Sequence, residues 1–151
     1  PVLSIKGKFH RSGCNNIILP IDLSKTTTQK IGLAAKFSKL FDARISVLAA
    51  TRSESKEKWL KMQEVLEKVK LFFTERNIPV GADVIDPGNN NDQMVKNLLD
   101  KADDKAGDLL IIMIQQENLL KELIIGSTAR KVIMGSNIPV LCLRPEKIIN
   151  N

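Results

Sequence analysis

The sequence has few of the residues on which enzyme active sites and metal sites most often depend. Of its 151 residues, one is histidine, two are cysteines and none is tyrosine. The histidine, His10, lies in a basic stretch with no catalytic or ligand partner beside it, and Cys14 and Cys142 do not have metal-binding spacing. We therefore predict no catalytic residue and no metal site, and a protein that is not an enzyme.

Long apolar runs and disulfide frameworks are also missing. The longest wholly apolar run, Leu109 to Ile114, is far below the ~20 residues that span a bilayer. Two cysteines form no disulfide framework, which is typical of proteins in a reducing compartment. These features predict free thiols, a cytoplasmic location and no membrane partner.

Aromatic residues, at 4% of the chain, supply few stacking platforms for nucleic-acid bases. The net charge is +6, which by itself favours an acidic partner. The lysines, however, are spread over residues 25–39, 56–70 and 96–105, mostly on helical patterns. We interpret them as solvated helix faces and predict no nucleic-acid partner.

The apolar residues that are present form five short runs separated by helical patterns. The runs cover residues 17–21, 44–50, 78–85, 109–114 and 139–144, and the helical patterns cover 27–41, 54–76, 92–106 and the segment after Gly126. Alternation of apolar strands with helices is typical of a parallel sheet with helices on both faces. We predict an open five-stranded α/β fold, with the third run at an edge because it contains proline and glycine.

Helical spacing predicts which side of each helix is buried. The second helix has an apolar stripe that predicts core packing, with Trp59 holding the helix on the sheet; its members are Trp59, Met62, Leu66, Val69 and Phe73. The stripe of the first helix runs from Ile31 to Phe41. Asp92 is placed to cap the third helix.

Four stretches resemble a known family. They are Asn16 to Ser24, Gly107 to Met113, Gly126-Ser127 and Ser136 to Leu141. Together they resemble the first strand and the carboxyl-terminal third of a universal stress protein domain. The resemblance implies the strand order three-two-one-four-five, a domain over residues 16–145 and a tail over 146–151.

The segment before this domain resembles the domain's own last strand. Pro1-Val2-Leu3-Ser4-Ile5-Lys6 has the pattern of Pro139-Val140-Leu141-Cys142-Leu143-Arg144. Many members of the family are tandem pairs. We therefore interpret residues 1–6 as the last strand of a preceding domain and 7–15 as a linker, the alternative being a native amino-terminal strand.

The resemblance also implies how this segment is used, because the family's last strand commonly pairs antiparallel with its equivalent in a second domain. We expect such pairing within the chain or across a homodimer, through Pro1, Val2, Leu3, Val140, Leu141, Cys142 and Leu143. Edge strands expose unpaired backbone groups that proteins cover or pair. Val2, Val140 and Cys142 should therefore be protected from solvent.

Phosphate-binding motifs are absent or damaged. The chain contains neither G-x-x-x-x-G-K-[ST] nor G-x-G-x-x-G. The family motif G-x2-G-x9-G-[S/T] ends at Gly126, but counting back gives Met113 and Gln116, or Ile114 and Glu117 with a one-residue deletion. Glycines at those positions would let backbone N–H groups approach phosphates, and Glu117 would bring a like charge toward them.

The predicted function follows from this damage. We expect a non-catalytic stress-response or regulatory domain that acts through protein association, without ATP or another cofactor. The alternative is a regulatory switch that binds ATP with magnesium, for which the resemblance implies Asp22, Ala50, Gly126, Ser127 and Thr128. Asp22 and Ser24 have a competing role in the turn and helix cap. A nucleotide-hydrolysing or nucleotidyl-transferring enzyme of a related α/β fold is the third interpretation, and the chain lacks the bases and phosphate loop it would need.

Overall fold

Strands and helices alternate along the described part of the chain. The computed structural model describes residues 1–6, 12–23, 27–50, 56–114 and 126–144. Its elements are β1 Val2–Ser4, β2 Asn16–Ile21, α1 Thr27–Phe41, β3 Arg44–Ala50, α2 Lys56–Thr74, β4 Val80–Ile85, α3 Asn91–Asp104, β5 Leu109–Met113, α4 Ser127–Gly135 and β6 Val140–Leu143. The predicted strands and helices are all present, with bounds that shift by one or two residues.

The strands form one sheet in the order β1-β6-β5-β2-β3-β4. Strands β2 to β6 pair in parallel, and β1 pairs antiparallel with β6. Counting β2 as the first complete strand, the predicted order three-two-one-four-five is β4-β3-β2-β5-β6. That order is confirmed, as are the edge position of the third predicted run, which is β4, and the extra amino-terminal edge strand.

Helices cover both faces of the sheet. Helices α1 and α2 pack on one face with Ile17 and Leu19, whereas α3 and α4 pack on the other with Ile18 and Leu110. Successive side chains of a strand point to opposite faces, so neighbouring residues of β2 enter different cores. This explains why the central strands are continuous apolar runs without polar alternation.

A partly buried polar network fixes the amino ends of the central strands. The N–H groups of Asn15 and Asn16 donate to Asp108 Oδ2 at 2.8 and 3.0 Å, and Asp108 N donates to Asn16 O at 2.9 Å. The Asn16 side chain donates to Lys105 O at 2.7 Å and accepts from Ser46 Oγ at 2.9 Å. Strand β2 is thereby tied to β5 and β3 at the end opposite the candidate site.

Trp59 does not pack into the core, so that prediction is wrong. Its exposed fraction is 42%, while Met62, Leu66, Val69 and Phe73 are buried as predicted. The helix has 19 residues, or about 28 Å at ~1.5 Å per residue. The seven-residue strand β3 spans only about 23 Å. Residues 56–61 are all exposed, so the first turn of α2, which carries Trp59, extends beyond the part of the sheet that buries the later turns.

The predicted stripe of α1 also ends early. Ile31, Ala34, Ala35 and Ser38 are buried, but Phe41 is 43% exposed. Its ring stacks instead on Phe37, with ring centroids 5.8 Å apart. Phe41 is the last helical residue, and the chain turns away through Asp42, whose φ is +54°.

The cap of α3 is Asn90 rather than Asp92. The Asn90 side chain accepts a hydrogen bond from Gln93 N at 2.9 Å, which satisfies one of the open N–H groups of the first turn. Asp92 lies inside the helix and forms an ion pair with Lys131 of α4. The run Asn89-Asn90-Asn91-Asp92 offers four candidate caps in sequence, and only the backbone conformation selects among them.

Strand β1 pairs as expected with β6, in the register Val2↔Cys142, Leu3↔Leu141 and Ser4↔Val140. Val140 and Cys142 are buried, but Val2 is 62% and Leu3 52% exposed, so the predicted protection of Val2 is wrong. These neighbouring side chains point to opposite faces of the sheet. Both faces of β1 are therefore open to solvent, and β1 covers the backbone edge of β6 without being covered itself.

Both cysteines are free thiols, as predicted. Among residues 1–6, 12–23, 27–50, 56–114 and 126–144, no helix is both long and apolar enough to cross a membrane. Residues 7–11 of the predicted linker, which include His10, and the tail from residue 145 lie outside the described residues.

Truncation of the buried stripe of α2 should destabilise the protein far more than changes on its exposed side. Leu66→Ala should lower the free energy of unfolding by about 2–5 kcal/mol, because it removes a buried side chain and leaves a cavity. Urea denaturation checks this, with Lys61→Ala on the exposed side and Trp59→Ala in the overhanging turn as controls. Equal midpoints for Leu66→Ala and Lys61→Ala would show that the phase of α2 is wrong.

Removal of residues 1–6 should expose the backbone amides of β6 to hydrogen exchange. We expect amide hydrogen exchange within Leu141 to Leu143 to become roughly tenfold faster or more, because the edge of β6 loses its partner strand. Val47, in the middle of β3, serves as the internal control and should be unchanged. Unaltered exchange in β6 together with an unaltered association state would refute the role of β1 as an edge cover.

Candidate functional site

A cavity of about 320 Å³ opens where the parallel strands end. Its described lining comes from the carboxyl ends of β2, β3, β4 and β5, from Lys30 of α1, from Met94 and Leu98 of α3 and from α4. From β2 the chain proceeds to β3 on one side, while β5 lies on the other side. The cavity thus lies at the point where the strand order reverses, which is where open α/β sheets bind ligands.

The cavity exists because β2 and β5 separate. Strand β2 pairs with β3 over its whole length, from Asn16 to Ile21. With β5 it pairs only through Ile17↔Leu109 and Ile18↔Leu110. Beyond Ile18 the two strands no longer form backbone pairs, and the space between their ends is the cavity.

Pro20 explains why the pairing stops. Asn16 O accepts from Asp108 N, so the backbone groups of Asn16, and of every second residue after it, face β5. The second such residue after Asn16 is Pro20. Proline has no N–H to donate, so the hydrogen-bond ladder to β5 cannot continue there.

The structure brings together all five residues of the predicted nucleotide site. Asp22, Ala50, Gly126, Ser127 and Thr128 come from three separate segments of the chain, and every one lines this cavity. Whether they hold a nucleotide stays a prediction. Ser24, Gln116 and Glu117, which also entered the sequence argument, lie outside the described residues.

Asp22 is held in place from α1. Thr27 Oγ1, in the first turn of α1, lies 3.0 Å from Asp22 Oδ1 and 3.1 Å from Asp22 O, and donates to them. Thr27 is buried, whereas Asp22 is exposed toward the cavity mouth. The turn role of Asp22 and a ligand role are therefore compatible, because an ionised carboxylate has about four acceptor positions and the hydrogen bond from Thr27 uses one of them.

The amino terminus of α4 has no side-chain cap. Gly126 is the N-cap residue with φ −51° and ψ 149°, and the first turn contains no acidic residue. The first N–H groups of a helix have no intrahelical partner and carry partial positive charge. Thr128 is held in the wall of the cavity, because its hydroxyl accepts from Asn91 Nδ2 at 2.8 Å.

Lys30 is a cavity residue that the sequence analysis missed. It lines the cavity with an exposed fraction of 7%. Burial lowers the pKa of its ammonium to about 8, while the charge of Asp22 acts in the opposite direction. A signal was present: Lys30 lies three residues after Thr27 and four before Ala34, on the buried side of α1.

The remaining lining is mostly apolar and offers no reacting group. Pro20, Ile85, Met94, Leu98 and Ile112 are among these residues. In the described part of the chain no three His, Cys, Asp or Glu side chains are grouped to hold a metal. Burial, followed by the charge of Asp108, raises the pKa of the Cys14 thiol to about 11, which leaves it protonated and unreactive. An apolar cavity with a few polar groups is typical of small-molecule binding.

The buried charge of Lys30 should make stability depend on pH. The unfolded chain keeps the lysine proton up to its ordinary pKa of 10.5, whereas the folded chain releases it near 8. Between these values the unfolded state binds more protons, so the free energy of unfolding rises with pH, by at most about 3 kcal/mol. Urea denaturation of wild type and Lys30→Met from pH 7 to 10.5 measures this effect. The free energy of unfolding of the wild type should rise relative to that of Lys30→Met as the pH increases.

Lys36→Met is the matched control, since Lys36 is an exposed lysine of the same helix. Its stability relative to wild type should stay constant over the same pH range. If the difference in the free energy of unfolding between wild type and Lys30→Met is also constant with pH, the Lys30 ammonium is not buried in the folded protein.

Comparison with known proteins agrees with this architecture. Residues 91–144 match the sequence model of the universal stress protein family. No curated protein sequence matches the chain. A universal stress protein from Archaeoglobus fulgidus superposes with a TM-score of 0.69 and 21% identity, over 86% of this chain and 93% of that chain.

Two further structures were solved with nucleotides. A universal stress protein in complex with cAMP has a TM-score of 0.67 and 16% identity, over 89% of this chain and 100% of that chain. A universal stress protein from Archaeoglobus fulgidus in complex with dAMP has a TM-score of 0.66 and 18% identity, over 85% of this chain and 96% of that chain. Residues 91–144 therefore resemble the universal stress protein family in sequence, and the described residues have the α/β fold of these solved universal stress proteins.

Proposed function

We propose that this chain is a non-catalytic regulatory domain whose cavity binds an adenine nucleoside or mononucleotide rather than ATP. In this proposal, ligand occupancy controls association with a protein partner. The observation that carries the proposal is the convergence of Asp22, Ala50 and the start of α4 on one cavity at the strand-order reversal. The solved relatives with cAMP and dAMP support a ligand of this class.

The size and lining of the cavity favour a small ligand. Its volume of about 320 Å³ is near the lower end of the ~300–1,000 Å³ that ligand pockets occupy. Apolar residues such as Ile85 and Leu98 supply surface for a planar base. Asp22 supplies an acceptor for an amino or hydroxyl group, and Ala50 leaves room for a ligand to approach the backbone of β3.

The chemistry of the cavity disfavours a triphosphate. The sequence contains no glycine between Gly107 and Gly126, so the backbone N–H clamp of the family motif is not encoded. Met113, at the end of β5, lines the cavity at the position of one of the missing glycines. Only the helix-start half of the motif, Gly126-Ser127, remains to meet phosphate oxygens.

A regulatory rather than an enzymatic role fits the same residues. The described lining offers one carboxylate, Asp22, and one ammonium, Lys30, but no histidine or thiol to act as base or nucleophile. Catalysis of nucleotide hydrolysis or transfer would need an activated water or hydroxyl. The described cavity residues supply binding groups only.

The proposed partner surface is the outer edge of β1. Strand β6 is already paired within the chain, so association through the last strand would have to displace β1. The outer backbone edge of β1 has no strand beside it in the described sheet, and Val2, Leu3 and Ile5 are each at least half exposed. An open edge flanked by apolar side chains is a template for pairing with a second domain or a second copy.

Calorimetric titration with AMP, adenosine and Mg-ATP tests the ligand proposal. We expect AMP to bind, and Mg-ATP to show no heat at micromolar concentrations. Asp22→Ala should weaken AMP about tenfold or more, because a hydrogen bond to a charged group contributes ~1.5–3 kcal/mol. Asp100→Ala, at an exposed α3 residue outside the cavity, is the control and should bind AMP like the wild type.

Two results would overturn the proposal. A dissociation constant for Mg-ATP in the low micromolar range would replace it with the ATP-dependent switch. Absence of binding by both adenosine and AMP would leave only a domain that acts through protein association without a nucleotide.

A further inference from the structure

We propose that Lys30 and the uncapped start of α4 together form an anion subsite, which makes the cavity select ligands that carry a single phosphate group. The inference rests on the proposed function for the identity of the ligand's organic part. It is independent of that function for the anion itself. In this proposal Lys30 binds the ligand directly, and its positive charge takes the place of the backbone N–H groups of the missing motif glycines.

Burial of Lys30 is costly in the empty cavity. A lysine is among the residues that are almost never fully buried without a partner, yet Lys30 is 7% exposed and lines the cavity. Among the described residues no hydrogen bond or ion pair within 4.0 Å reaches its ammonium; Asp22 acts on it electrostatically from farther away. Asp22 itself accepts from Thr27. A ligand anion would supply the partner that Lys30 lacks.

The ammonium of Lys30 is charged at neutral pH. Burial lowers its pKa to about 8, so at neutral pH most molecules still carry the positive charge into the cavity. An uncompensated buried charge is strongly unfavourable, and pairing it with a hydrogen-bonded anion recovers much of that cost. The free energy that Lys30 costs in the empty protein therefore becomes available to favour an anionic ligand.

Lys30 and the start of α4 reach the cavity from opposite faces of the sheet. Helix α1, which carries Lys30, packs on one face of the sheet, and α4 packs on the other. Both reach the same cavity past the separated ends of β2 and β5. An anion placed there meets an ammonium from one side and the open N–H groups of α4 from the other. No acidic residue in the first turn of α4 competes with it.

The charge balance of the cavity sets the preferred ligand class. Its described lining carries one positive side chain, Lys30, and one negative side chain, Asp22. The ammonium and the helix terminus suit one compact phosphate, which lysine binds as a point charge. Each further phosphate would bring negative charge toward Asp22 without a second cation. A monophosphate is therefore preferred over both a neutral nucleoside and a triphosphate.

Binding of three probes to three proteins tests the inference. The probes are adenosine, AMP and inorganic phosphate, and the proteins are wild type, Lys30→Met and the control Lys36→Met. Lys30→Met is expected to fold, because removal of an unpaired buried charge is usually tolerated well. Lys30→Arg retains the charge and is the second variant. Titration calorimetry measures the binding of adenosine and AMP. The width of the phosphorus NMR line measures the binding of inorganic phosphate.

We expect wild type and Lys36→Met to bind AMP about tenfold to a hundredfold more tightly than adenosine, the range that a charge-assisted hydrogen bond gives. Lys30→Met should lose that preference to within about twofold while its affinity for adenosine is retained. Lys30→Arg should keep most of the preference. The phosphorus NMR line of inorganic phosphate should broaden when wild type is added and should not broaden when Lys30→Met is added.

The three probes distinguish failure of this inference from failure of the proposed function. If adenosine and AMP bind but the preference for AMP survives in Lys30→Met, the role of Lys30 is refuted and the proposed function stands. If neither nucleoside nor nucleotide binds, but inorganic phosphate binds in a Lys30-dependent way, the adenine proposal is refuted and the anion subsite stands. If none of the three probes binds the wild type, both are refuted.

Discussion

The incomplete pairing of β2 with β5 is the constraint on which the candidate site depends. At their amino ends the two strands are held by Asn16 and Asp108. Gly107 allows this approach, because a Cβ there would lie 2.5 Å from Ile18 Cγ1. Toward the carboxyl ends the hydrogen-bond ladder stops at Pro20, because proline has no N–H to donate. The strands are therefore locked at one end and open at the other, and the opening is the cavity.

This arrangement also explains why residues far apart in the chain meet. The carboxyl ends of all the parallel strands lie along one edge of the sheet, and each following helix begins near that edge. Asp22 follows β2, Ala50 ends β3, and Gly126 precedes α4. The buried side of α1 adds Lys30 from one face, and α4 adds its N–H groups from the other. The electrostatic character of the cavity is thus decided by contributions from both helical layers.

The differences between prediction and structure share one cause, which is where regular elements end. Helical spacing identified the buried stripe of α2, but the spacing continues into a turn that extends past the sheet and leaves Trp59 exposed. Val2 pairs with Cys142 in the register of an edge strand, yet no layer reaches far enough to cover it. Periodicity reports which side of an element is apolar, whereas the extent of the neighbouring layer decides how much of that side is buried.

The sequence by itself determined the alternation of strands and helices and the parallel sheet with helices on both faces, and the family resemblance added the strand order and the position of β1 beside β6. The sequence did so because apolar runs without alternation require coverage on both faces, and because local motifs such as Gly126-Ser127-Thr128 are short and contiguous. It also identified Asp22, Ala50 and the start of α4 as one candidate site through the family resemblance. The tertiary structure alone decided that these residues share a cavity, that Asn90 caps α3, and that Lys30 is buried there. Helical spacing places Lys30 on the buried side of α1, but how deeply it is buried depends on strands and helices, distant in the chain, that pack around that helix turn.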